Sequence, residues 1–252
     1  MKSTKVFVMA LVAMMSVGFC SCDPENDNDG NTGTEQPNPN PSPNPNPNPN
    51  PQPGTEDGWV NLGLPSGVQW ATCNVGADVP EEFGKYYAWG ETTTKSDYAW
   101  GTYKYCEGEY WELTKYCNDA EYGYNDFTDN LIVLQPEDDA ALAWDSNMRM
   151  PTSAEWQELI DNTTYEWVTV NGVAGGKFTA ANGNSIFIPA AGKKYLINTL
   201  DVGGVGYYWS STLEDGDATM AKNYEVSETE PKGSHYERSY GMPVRPVRIV
   251  RD

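Results

Sequence analysis

Histidine is almost absent from this chain of 252 residues: His235 is the only one. That excludes most multi-histidine zinc sites, and the spacing of the five cysteines resembles no zinc knuckle. Basic side chains are scarce as well, 16 Lys+Arg against 36 Asp+Glu, for a formal net charge of −20. A nucleic-acid partner needs a basic stripe, and adsorption to anionic lipid needs a basic face, so both are excluded. No apolar run is long enough to span a bilayer; the longest covers residues 6–19. The apolar fraction of 38% falls below the usual range of roughly 45–50%, and the shortfall is concentrated in one segment.

Residues 1–21 read as a targeting leader, with Lys2 and Lys5 ahead of the apolar run. The run stops at Phe19-Cys20-Ser21-Cys22, which resembles a bacterial lipobox. A small residue must precede the cleaved bond, so Ser21 favours Cys22 as the lipidated N-terminus. Acyl chains there anchor a protein without a transmembrane helix. Residues 22–58 hold seven acidic side chains, no basic ones and no aromatics, too little apolar surface to fold. The acidic run after Cys22 resembles the surface-export signal of gut-type Gram-negative lipoproteins. From Pro37 to Pro53 every second residue is proline, which predicts an extended polyproline-II spacer of about 50 Å. The expected location is the outer membrane, at the cell surface.

Residues 59–252 hold all nine Trp and all 16 Tyr, with 14 basic and 29 acidic side chains. That length is enough for one sizeable core. Pro151-Thr152-Ser153-Ala154-Glu155 predicts a capped helix with Trp156, Leu159 and Ile160 on one face. A second short helix is predicted at Pro136, where Glu137, Asp138 and Asp139 favour a helix start. Short strands are predicted at 59–62, 68–73, 166–170, 177–180, 185–189, 207–210, 222–226 and 244–250, with Asn182-Gly183 as a hairpin turn. Residues 90–134 read as long polar-aromatic loops. The class predicted is α+β with much irregular backbone.

Several segments carry a resemblance. They are Val60-Asn61-Leu62-Gly63-Leu64-Pro65-Ser66-Gly67 with Trp70-Ala71-Thr72-Cys73-Asn74-Val75-Gly76, Tyr87-Ala88-Trp89-Gly90-Glu91, and Met148-Arg149-Met150-Pro151-Thr152-Ser153-Ala154-Glu155-Trp156. Tyr208-Trp209-Ser210-Ser211 and Gly241-Met242-Pro243-Val244-Arg245-Pro246-Val247-Arg248 complete the set. Together they resemble the Fibrobacter succinogenes major paralogous domain, a family of secreted and surface lipoproteins. The resemblance implies a C-type-lectin-like fold related to the formylglycine-generating enzymes, in which a motif similar to residues 149–156 occurs. Those enzymes hold copper with a late cysteine pair, whereas no cysteine follows Cys117 here. The expectation is therefore no enzyme and no cofactor, the motif serving as structure. Calcium at an acidic loop is the one ion the resemblance leaves open, although the carbohydrate-type Glu-Pro-Asn and Trp-Asn-Asp triplets are missing. His235 sits in a polar stretch with no nucleophile-elbow motif, which argues against Ser/His/Asp chemistry.

In C-type-lectin-like proteins the late segment forms the ligand face. Here it offers Tyr208, Tyr224, Glu225, His235, Tyr236, Arg238 and Tyr240, a composition suited to recognition. The expectation is a tethered binding module for a glycan or protein ligand at the cell surface; the alternative is a structural envelope component without a soluble ligand. Cys106 and Cys117 share one loop, and a disulfide between them would add roughly 3 kcal/mol. Cys73 reads as a buried free thiol, with Cys73–Cys106 as the competing pair.

Overall fold

Regular structure takes in residues that composition assigns to the stalk. The computed structural model describes residues 55–249; the leader, Cys22 and the stalk up to residue 54 lie outside the described residues, as do residues 250–252. Strand β1 (Thr55–Glu56) pairs antiparallel with β2 (Trp59–Asn61), Glu56 opposite Trp59. Their link is Asp57-Gly58, both at positive φ (48° and 84°), the backbone that a two-residue hairpin requires. Residues 55–58, assigned above to the stalk, are thus the first hairpin of the folded unit. β2 continues onto β3 (Val68–Ala71), which also pairs with the last strand, β12 (Val247–Ile249), so both ends of the described chain share one sheet.

A second sheet runs β4 (Thr163–Val170), β5 (Val173–Ala180), β6 (Ser185–Pro189). The Asn182-Gly183 turn closes β5 onto β6, with Gly183 at φ 85°. Asn171-Gly172 closes β4 onto β5 as a two-residue turn with both residues at positive φ (48° and 85°). The third sheet has the order β11 (Lys232–Glu237), β10 (Met220–Ser227), β9 (Val205–Leu213), with an irregular register between Ala221 and Asn223. A separate hairpin pairs β7 (Lys193–Tyr195) with β8 (Asn198–Leu200). Among the described residues all the strand pairs are antiparallel, and two short α-helices accompany them, α1 (Ala140–Trp144) and α2 (Ser153–Asp161), which fits the α+β expectation.

α2 starts as predicted. The Thr152 hydroxyl accepts from Glu155 N, and the Glu155 carboxylate accepts from Thr152 N at 2.8 Å. Arg149 pairs with the same carboxylate, so the spacing of Arg149, Thr152 and Glu155 builds one helix start. Trp156 is fully buried; its ring meets Trp70 edge-on at 4.8 Å and stacks on Tyr224 at 5.4 Å. The second predicted helix is split. Pro136–Asp138 forms a 3-10 turn, and Asp139 then caps α1, accepting from Ala141 N and Leu142 N.

Alternation along β9 and β10 puts the third sheet between two cores. Tyr208, Tyr224 and Val226 face α2 and the second sheet, whereas Tyr207, Trp209 and Ala221 face a core containing Tyr87, Trp89 and Tyr116. The long loop after residue 90 is irregular, as predicted, yet it is pinned from within. Asp138 accepts from Tyr105 OH, from Tyr116 OH at 2.6 Å, and from Lys115 Nζ at 2.6 Å. Asp129 accepts from the backbone N of Tyr116, Cys117 and Leu131.

Candidate functional site

The residues nominated from the late segment do not share one surface. Tyr208 is fully buried, its hydroxyl donating to Pro189 O at 2.7 Å. Tyr224 is buried under α2 and donates to Ser153 O at 2.7 Å. Arg238 has no exposed surface. Its guanidinium donates to Tyr103 OH, Tyr116 O, Ala218 O and Lys115 O at 2.8–3.0 Å, and lies against the Trp89 and Tyr103 rings. These three are core, which corrects their assignment as ligand contacts. Tyrosine and arginine are enriched at interfaces, yet either can also be buried where its polar end finds partners, so composition alone does not separate the two. Glu225 is half-buried, its carboxylate 3.4 Å from Lys232 Nζ.

His235 is exposed, on strand β11 rather than in the polar loop expected from Gly233-Ser234-His235-Tyr236. Pairing with β10 (Lys222 opposite His235, Tyr224 opposite Gly233) imposes the strand on a sequence of low strand propensity. His235 helps line a groove of about 230 Å³ with Ser153, Glu214, Lys222, Tyr224 and Ser234. Its Nδ1 lies 3.8 Å from the Glu214 carboxylate. The Ser153 hydroxyl is 3.2 Å from Tyr224 OH rather than bonded to the imidazole, so the groove offers donors and acceptors without an activated nucleophile.

Tyr236 and Tyr240 do lie together, on the other side of the sheet, and the β7–β8 hairpin joins them. Tyr240 stacks on Tyr195 at 4.6 Å and 21°, and its centroid is 5.6 Å from that of Tyr236. Lys193 Nζ sits 3.6 Å over the Tyr207 ring and 4.8 Å over Tyr236. It also pairs with Asp201 at 2.7 Å, a hydrogen bond that holds the Asp201 carboxyl below its ordinary range. Burial first, and the Glu237 charge second, push the Tyr240 phenol up to about 12, so it is a hydrogen-bond donor at neutral pH.

The hairpin tip is the feature that sequence reading missed. Tyr195 and Asn198 face each other across Leu196-Ile197, a two-residue turn without the usual Asn or Gly. Leu196 is held at φ 53°, a costly backbone for a branched side chain. The turn is fixed by Tyr98 N donating to Leu196 O at 2.9 Å. Ile197 is 77% exposed, and Tyr195, Leu196, Leu200 and Val202 are exposed beside it. Because the turn residues are Leu and Ile, no turn signal marks the hairpin in the sequence.

The cysteine pairing is also corrected. Cys73, Cys106 and Cys117 are free, and Cys73 is only half-buried. Cys106 and Cys117 do meet the same small cluster around Leu113 and Ala218. Each thiol instead donates to a backbone oxygen, Cys106 to Trp100 O at 3.1 Å and Cys117 to Asp119 O at 3.0 Å. Among the described residues no three His, Cys, Asp or Glu side chains converge as a metal-ligand set. Comparison with protein-family models, curated proteins and solved structures returned no match.

Proposed function

We propose that this chain is a surface-tethered lipoprotein with a non-catalytic, C-type-lectin-like head that recognises a protein ligand through the hairpin face. The lipobox-like Cys22, the proline-rich stalk and the resemblance to the Fibrobacter succinogenes major paralogous domain support the tethered head. The single observation that carries the recognition surface is the exposed Leu196-Ile197 tip, with Leu196 at positive φ, backed by the stacked Tyr195 and Tyr240 rings. A clustered apolar patch beside tyrosines has the make-up of an interface centre. Backbone strain kept at such a tip fits a selected function rather than stability.

Two variants test this reading. Leu196→Asn relieves the φ cost, so it is expected to raise stability by about 0.5–1 kcal/mol in urea melts while weakening ligand capture. Ile197→Ser is expected to leave the melting temperature unchanged. On immobilised mature chain it is expected to reduce saturable retention of a surface-protein partner at least tenfold. Undiminished retention by Ile197→Ser would remove the hairpin from the interface.

The groove beside α2 favours a second reading, a glycan. It has the volume of a sugar residue and places Glu214, Lys222, Ser153 and His235 around it. A glycan array that is positive for the parent and blank for Glu214→Gln would move recognition to this groove.

A further inference from the structure

A second exposed aromatic cluster, built from other residues, lies on the turn formed by residues 107–112. Glu107 N donates to Glu112 O at 3.0 Å, and Glu112 N to Glu109 O at 3.0 Å, closing the turn. Behind it, fully buried Leu113 bonds through its backbone to Tyr122 O and Tyr124 N, so the turn is firmly based. It presents Tyr110 (43% exposed) and Trp111 (47% exposed), whose rings meet edge-on at 4.5 Å. The Tyr110 ring is flanked further by Tyr122 at 6.3 Å and Trp100 at 6.4 Å.

The charged residues of the turn are all of one sign. Glu107, Glu109 and Glu112 belong to the turn itself, and none of them is ion-paired among the described residues. The two lysines that flank the turn in sequence are already paired, Lys104 with Asp138 and Lys115 with Glu137 and Asp138. Exposed π faces carry negative charge at their centres, so rings and carboxylates attract the same ligand, a cation. A planar guanidinium answers both features, stacking on the ring while its N–H fork meets a carboxylate; an ammonium answers only the charge.

We propose that residues 107–112 form a docking site for an arginine-rich segment of a partner protein, guanidinium groups covering Trp111 and Tyr110 and bonding to Glu107, Glu109 and Glu112. The site shares no residue with the hairpin face, and its occupancy does not depend on that assignment.

Calorimetric titration of the full mature chain with an arginine–glycine repeat peptide, at low and at physiological salt, tests it. The lysine–glycine and glutamate–glycine repeats and a neutral oligosaccharide serve as comparisons. The arginine peptide is expected to bind several-fold tighter than the lysine peptide, and the glutamate peptide not at all. Trp111→Ala keeps every charge, yet is expected to weaken the arginine peptide about fivefold to thirtyfold. Ile197→Ser is expected to change nothing, which separates this site from the hairpin. Equal affinity for parent and Trp111→Ala would mean diffuse attraction to an acidic protein and overturn the site. Absence of binding at low salt, or binding of the neutral oligosaccharide in place of the peptide, would overturn it too.

Discussion

Arg238→Ala is expected to destabilise the folded head by about 3–5 kcal/mol, a large share of a typical domain's stability. The side chain, one residue past β11, is fully buried and bonds to the long loop through Tyr103 OH and the carbonyls of Lys115 and Tyr116, and to the β9–β10 connection through Ala218 O. Alanine strips four acceptors of their donor and leaves a void among the Trp89, Tyr103 and Tyr116 rings. Arg238→Lys is expected to recover only part of the loss, because one ammonium cannot replace the spread of the guanidinium fork. A urea midpoint that falls sharply at constant slope is the expected reading; an unmoved midpoint would return Arg238 to the surface. Loss of ligand capture in an Arg238 variant therefore reports unfolding, whereas Tyr236→Ala and Tyr240→Ala report the face itself.

Asp138→Asn is expected to cost about 2–4 kcal/mol at neutral pH, because an amide cannot accept from two phenols and two lysines as a carboxylate does. Burial acts to raise the Asp138 pKa, but the donors on Lys115, Tyr105, Tyr116 and Lys104 outweigh it and hold the value at about 2. The unfolded chain protonates Asp138 near about 3.9. The stabilisation is therefore fully present above that value and is lost as pH falls through about 2. The stability gap between parent and Asp138→Asn should shrink over that window. A gap that stays constant down to about pH 2 would show that the carboxylate's charge does not carry the effect.

Local signals were legible and remote ones were not. The Thr152–Glu155 capping box and the Asn182-Gly183 turn act within a few residues, and both stand as read. The strands at 59–62, 185–189 and 207–210 were visible as apolar runs between turn residues. β11 was not, because Gly233, Ser234 and His235 become a strand only through pairing with β10. The order of the long loop depends on Asp138, Asp129 and Arg238 reaching partners far away in sequence, as from Arg238 to Lys115. The same long reach explains the site. Tyr236 and Tyr240, nominated from the late segment, are half-buried and lie together, but Tyr195, Leu196 and Ile197, the rest of the proposed face, arrive from a hairpin without a turn signal. Arg238, chosen on the same compositional ground, turned inward because the loop offered it carbonyls that only folding gathers.

The most direct measurement is site-specific photo-crosslinking on intact producing cells, with a photoreactive side chain at position 197 and, separately, at exposed Ala181 in the β5–β6 turn. The hairpin account expects one dominant protein adduct from position 197, none from 181, and loss of that adduct when Tyr240→Ala is added. Equal labelling from both positions, or no adduct from position 197 in correctly folded protein, would contradict it.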